Sequence, residues 1–127
     1  MYTFDKTLPN VGFEEAVERT RKALADQGFG VLTEIDVKKT MKAKLDVDVA
    51  DYTILGACNP NMAHEAMKLE PKIGAMLPCN VIVRAGDNAT EISAIDPVAS
   101  MVAVDNAELK GVAETVRKML QRVVAEI

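Results

Sequence analysis

Cys79-Asn80-Val81-Ile82-Val83-Arg84-Ala85-Gly86-Asp87-Asn88-Ala89-Thr90-Glu91-Ile92-Ser93-Ala94-Ile95 decides the fold of this chain. Two runs, Cys79 to Arg84 and Ala89 to Ile95, are rich in the β-branched residues that suit a pleated, half-buried surface. Between them stands Ala85-Gly86-Asp87-Asn88, a turn by composition. Two strands joined by so short a turn must pair antiparallel, because a parallel pair needs a crossover of a dozen residues or more. The hairpin therefore predicts a sheet that is mostly antiparallel.

Reading back towards the N-terminus, Tyr52 to Cys58 is a third apolar strand, expected to be interior and covered on both faces. Phe29 to Ile35 is another, with Phe29, Val31, Thr33 and Ile35 on one face. Met1 to Lys6 alternates like a short first strand that Pro9-Asn10 breaks. Phe13 to Gln27 reads as a helix: Phe13, Ala16, Val17, Thr20 and Leu24 share one face. Glu14 and Glu15 suit its N-terminal dipole, and Gly28 a left-handed cap at its end. Asp36 can cap a short helix from Val37 to Leu45. After Pro60, Asn61 to Leu69 is helical and stops at Pro71, and Ile73 to Leu77 leads into the hairpin.

Beyond the hairpin, Asp96-Pro97 opens a short apolar turn through Met101. The last helix has Asp105 and Glu108 as a candidate capping box. Its apolar stripe is Leu109, Val112, Val116, Met119, Leu120, Val123 and Ile127. The order of elements predicts an α+β fold: a mostly antiparallel sheet of about five strands, packed on one face by two long helices, with short extra helices.

Composition narrows the function classes. The chain has 127 residues, the length of one domain spanning 1–127. Apolar residues make up 49% and charged residues 27%, an ordinary balance for a globular protein. A net charge of −4 argues against a nucleic-acid partner and against an anionic membrane surface. Lys38, Lys39, Lys42 and Lys44 read as the solvated face of a short helix. No apolar run approaches a membrane span, and the N-terminus lacks a signal peptide's pattern, so a cytoplasmic location is expected. In that compartment the two cysteines are expected to be thiols.

Those cysteines carry what chemistry the sequence offers. Cys58 stands in Gly56-Ala57-Cys58-Asn59-Pro60 and Cys79 in Leu77-Pro78-Cys79-Asn80-Val81, 21 residues apart at the ends of two strands. If those strands lie side by side, the thiols come close in space. Cys58 also precedes a helix, whose free N–H groups favour a thiolate. Asn59 and Asn80 can cap turns or donate to a bound anion. His64 lies on the same helix, and Met62, Met67 and Met76 lie in the same segment. Cys58, Cys79 and His64 are thus candidate ligands for a soft or borderline transition metal. Their spacing fits no closed zinc site, and two Cys plus one His leaves it a ligand short. Cysteine is also a small hydrophobe, so inert packing is the competing reading. Glu65 and Glu70 read as solvated charges. No nucleophile elbow, phosphate loop or dinucleotide fingerprint is present, and enzyme status stays open.

The Tyr52–Pro60 block, Ala63-His64, Pro71, Gly74, the Leu77–Val81 block, Asp96-Pro97 and Met101 together resemble the bacterial and archaeal family known as domain of unknown function 302 (DUF302). The resemblance spans nearly the whole chain. It implies an α+β architecture like that of the TATA-box-binding protein, a homodimer, and retention of both cysteine blocks. It implies no DNA binding, since fold does not fix function. Two functions follow as expectations. One is a cysteine-centred site at Cys58 and Cys79, lined by Asn59, Asn80 and His64, for thiol-redox, persulfide, soft-metal or other small-ligand chemistry. The other is a dimeric binding or regulatory module, without enzymatic activity, whose cysteines are structural.

Overall fold

The computed structural model describes residues 1–127. Five strands, β1 (Thr3–Pro9), β2 (Gly30–Asp36), β3 (Tyr52–Cys58), β4 (Cys79–Gly86) and β5 (Ala89–Ile95), form one sheet in the order β1-β5-β4-β3-β2. Every pairing is antiparallel. The β4–β5 hairpin sits at its heart, with Val83 opposite Ile92 and Val81 opposite Ala94. Five helices accompany the sheet: α1 (Phe13–Asp26), α2 (Val37–Leu45), α3 (Pro60–Leu69), α4 (Pro97–Ser100) and α5 (Ala107–Glu126).

The two long helices cover one face. From α1, Ala16, Val17, Ala23 and Leu24 are buried; from α5, Leu109, Ala113, Val116, Leu120, Val123 and Val124. They meet Leu55 and Ala57 of β3, Val81 and Val83 of β4, and Ile92 and Ala94 of β5, the sheet residues that are wholly shielded from solvent. Thr20 is buried in the same layer. Its hydroxyl donates to the Ala16 carbonyl at 2.8 Å, which removes the cost of an unpaired polar group. A smaller cluster of Ala66, Ile73 and Leu109 closes one end, where α3 and α5 meet a 3₁₀ turn over Pro71–Met76.

Local details depart from the sequence reading in instructive ways. β1 runs on through Pro9, and the chain turns at Asn10, whose φ is 58°. A proline is tolerated there because β1 is an edge strand with no further neighbour to receive its missing N–H. The register of β2 shifts between Val31 and Thr33. Val31 therefore faces the core opposite Ala57, while Thr33 and Ile35 turn to the other face, so the four residues do not share one side. The cap of α5 is Asn106, which accepts from the Leu109 N–H and donates to the Leu69 carbonyl at 2.9 Å; Asp105 is not the cap. Asn106 thus ties α5 to the end of α3, a tertiary bond that local capping rules do not reveal.

Asp96 does more than form a turn. It caps α4 by accepting from Val98, and its backbone N–H donates to Tyr2 at 2.8 Å. Its carboxylate is nearly closed off from water and meets the Arg117 guanidinium of α5 at 3.3 Å. Arg117 in turn stacks over Phe4 of β1, 6.0 Å from the ring centre. One residue therefore joins β1, α4 and α5.

The second face of the sheet carries no long helix. Ile35, Ile54 and Ile82 stand in register across β2, β3 and β4, and Ser93 of β5 follows. β3 was expected to be covered on both faces, yet Tyr52 and Ile54 remain half-exposed on this one. α2 lies at one end, forming a groove with Tyr52 and Arg84.

Candidate functional site

β3 and β4 pair so that Ala57 stands opposite Cys79. Cys58 is the next residue, the last of β3, where the chain leaves the sheet for α3. Asn59 makes that turn: it has extended backbone, and its side chain accepts from the Met62 N–H at 3.3 Å. Pro60 follows at the first helical position, where no N–H is needed. Gly28, with φ of 82°, brings the end of α1 against Asn59; a Cβ at Gly28 would stand 3.2 Å from the Asn59 amide nitrogen.

The approach to Cys79 is equally constrained. The Leu77–Pro78 bond is cis, and the Pro78 ring packs over Gly56 of β3. A Cβ at Gly56 would lie 2.8 Å from Pro78 Cγ and overlap the Thr33 hydroxyl outright. Gly56 is thus the position at which the two cysteine blocks touch, and only a residue without a side chain fits.

Both cysteine residues help to line one cavity. Its walls include Phe29, Ala57, Asn59, Met62, Ala63, Ala66, Leu77, Pro97, Met101, Leu109 and Val116. Thirteen of its fifteen lining residues are hydrophobic, and none is charged. The volume is about 30 Å³, room for an atom, an ion or a water-sized molecule and far below the several hundred Å³ of a site for an organic ligand. A larger groove of about 270 Å³ adjoins it, sharing Met101, Leu109 and Ala113.

The two sulfurs differ in setting. Cys79 is buried, 7% exposed, and belongs to the main core cluster. Burial pushes its thiol up to about 11 from 9.0, and charge on Cys58 pushes in the same direction. Cys79 therefore keeps its proton at neutral pH. Cys58 is half-exposed, at the cavity's edge. Neither is in a disulfide.

Of the residues singled out by sequence, Cys58, Asn59 and Cys79 converge on this cavity. Asn80 and His64 do not line it. Asn80 is exposed on β4, pointing to the opposite face of the sheet from Cys79. His64 is exposed on the outer side of α3, beside Glu65, whose carboxyl is held below the usual range by Lys68 at 2.7 Å. No cluster of three His, Cys, Asp or Glu side chains exists that would hold a metal ion. Met62 reaches the cavity; Met67 and Met76 are 45% and 42% exposed and lie away from it. Met101 reaches it from α4, a contact that sequence spacing did not signal, since it depends on the long crossing from β5 back over α3.

No curated protein matches the chain. Among solved structures, the chain is similar to the crystal structure of an uncharacterized conserved protein DUF302 from Bacillus stearothermophilus. The identity is 26% and the TM-score 0.91, over 99% of this chain and 98% of that one. No helix is long and apolar enough to cross a membrane. The profile described as Domain of unknown function DUF302 matches residues 4–127, and the chain belongs to that family.

Proposed function

We propose that the protein binds a small, soft ligand at a cysteine-centred site, with Cys58 as the working sulfur and Cys79 as a protonated thiol beneath it. One observation supports this reading: Cys58 and Cys79 are both among the residues that line the same uncharged cavity of about 30 Å³. A cavity of that size and polarity suits one soft atom on sulfur. Sulfane sulfur on Cys58 and a thiolate-bound metal are the two forms within reach. Asn59 supports the site by fixing the turn that presents Cys58.

The test is a native mass spectrum of protein purified without reductant or chelator, together with iodoacetamide labelling. Added mass is expected on the wild type and not on Cys58→Ala. Cys58 should alkylate in the folded state while Cys79 reacts only on unfolding, since the thiolate is the nucleophile. Equal protection of both thiols and an unmodified mass would instead favour the module with structural cysteines. The membership of Cys79 in the core cluster supports that second reading for Cys79 alone.

A homodimer belongs to the same proposal. The row Ile35, Ile54 and Ile82 on the face without a long helix supports it, because Ile35 is 47% exposed in the isolated chain. Light scattering should give twice the 13.8 kDa of one chain. Ile82→Lys, which places a charge in the middle of that row, should return the mass to that of one chain.

A further inference from the structure

The buried apolar side chains fall into two clusters, one of 16 residues across the sheet and one of three, Ala66, Ile73 and Leu109. Leu77 and Val112 pack against both. The cavity of about 30 Å³ lies on the seam between them: Phe29, Ala57 and Val116 wall it from the first cluster, Ala66 and Leu109 from the second. Protein interiors ordinarily close such seams, packing to the density of organic crystals. This one stays open to the outside. Met101, Leu109 and Ala113 line the cavity and also line the groove of about 270 Å³ between α4 and α5.

The walls of the groove choose its occupant. Six of its nine lining residues are hydrophobic, and the other three are Asn106, Lys110 and Glu114. Asn106 is committed elsewhere: its amide oxygen accepts from the Leu109 N–H and its amide nitrogen donates to the Leu69 carbonyl. Glu114 faces the Arg117 guanidinium at 3.8 Å. Lys110 is exposed and stands in no ion pair. The groove therefore offers an apolar wall and one uncompensated positive charge at its rim. An apolar body ending in a single negative charge complements both.

Size bounds that body. At roughly 30 Å³ per atom, the share of one water in the liquid, groove and seam together hold about ten atoms beyond hydrogen. A two-chain lipid is far larger. We infer that the groove between α4 and α5 binds a free, single-chain carboxylate of about eight carbons, its head at Lys110 and its tail running past Met101 into the seam. Met101 suits the passage, since an unbranched thioether side chain adapts to what lies beside it. The inference goes beyond the cysteine-centred reading: no sulfur serves as a ligand, and no covalent bond is made or broken.

The test is calorimetric titration of the whole protein with sodium octanoate, below the concentration at which it forms micelles. One octanoate per chain is expected. From butanoate to hexanoate to octanoate, each added methylene should tighten binding about fourfold as it leaves water. Dodecanoate should gain nothing more, because the gap is full. Octan-1-ol should bind about fivefold more weakly than octanoate, the upper end of what an exposed ion pair contributes, and Lys110→Met should erase that preference. Val102→Glu adds a negative charge to the groove at a residue 79% exposed. It should melt like the wild type and bind octanoate more weakly.

Four results would overturn the inference: no saturable binding of octanoate, affinity that ignores chain length, equal affinity for octan-1-ol, or undiminished binding by Lys110→Met and Val102→Glu. None of them touches the Cys58-dependent adduct, which mass and alkylation read separately.

Discussion

Replacing Gly56 with alanine is expected to lower the unfolding free energy by about 3 kcal/mol, at the upper end of overpacking penalties. The added Cβ would overlap the Thr33 hydroxyl and press to 2.8 Å from Pro78 Cγ. Thr33 is exposed and can rotate away. The Pro78 ring cannot, because it is rigid and its neighbours on both sides are fixed by β4 and the 3₁₀ turn. The strain therefore passes into the β3–β4 pairing that sets Cys58 beside Cys79. With total stabilities of roughly 5–15 kcal/mol, such a loss is a large share of the whole. Thermal melting checks it. Adding Thr33→Ala should recover part of the loss, because it removes one of the two clashes and leaves the other. Gly56→Val should melt lower still.

Raising the pH from about 9 to above 11 is expected to remove about 2–3 kcal/mol of stability through Cys79 alone. The sign follows from its neutral form being the protonated one. The folded thiol titrates at about 11 and its reference is 9.0. Below pH 9 both states hold the proton and the contribution is fully present. As pH rises towards 11 the unfolded chain releases its proton while the folded one is forced to keep it, and stability falls. Lysines and tyrosines titrate in the same range, so the measurement is a difference: urea unfolding of wild type against Cys79→Ala across pH 8–11.5. The variant should start less stable, having lost a buried side chain, but its curve should be flatter by that amount. Parallel curves would contradict a buried, titrating Cys79. Cys58→Ala should narrow the gap, because charge on Cys58 is the second cause of the shift.

Much of this fold was legible because it rests on local rules. The β4–β5 turn, the spacing of apolar residues in α1 and α5, the Asp36 and Asn59 caps and the prolines at 60 and 71 all act within a few residues. What was not legible depends on contacts across the chain. The β2 register shift is set by what Thr33 and Val31 meet on β3. Asn106 displaces Asp105 as a cap because the Leu69 carbonyl is there to receive it. Asp96 reads as a turn residue until Arg117 arrives, 21 residues later, from α5. The site divides in the same way. The matching Cys-Asn blocks marked Cys58, Asn59 and Cys79. Strand alternation places Asn80 on the face opposite Cys79, and helical phase places His64 outside. Met101 entered only through tertiary structure.

The shifted register in β2 has a consequence for the sheet's open edges. β2 and β1 are the two margins of an open sheet, and a straight margin offers its free N–H and C=O groups to any passing strand. Here the irregularity between Val31 and Thr33 bends one margin, and Glu34 and Asp36 charge it. Pro9 and Asp5 blunt the other. Fibril-like growth by strand addition is discouraged at both ends.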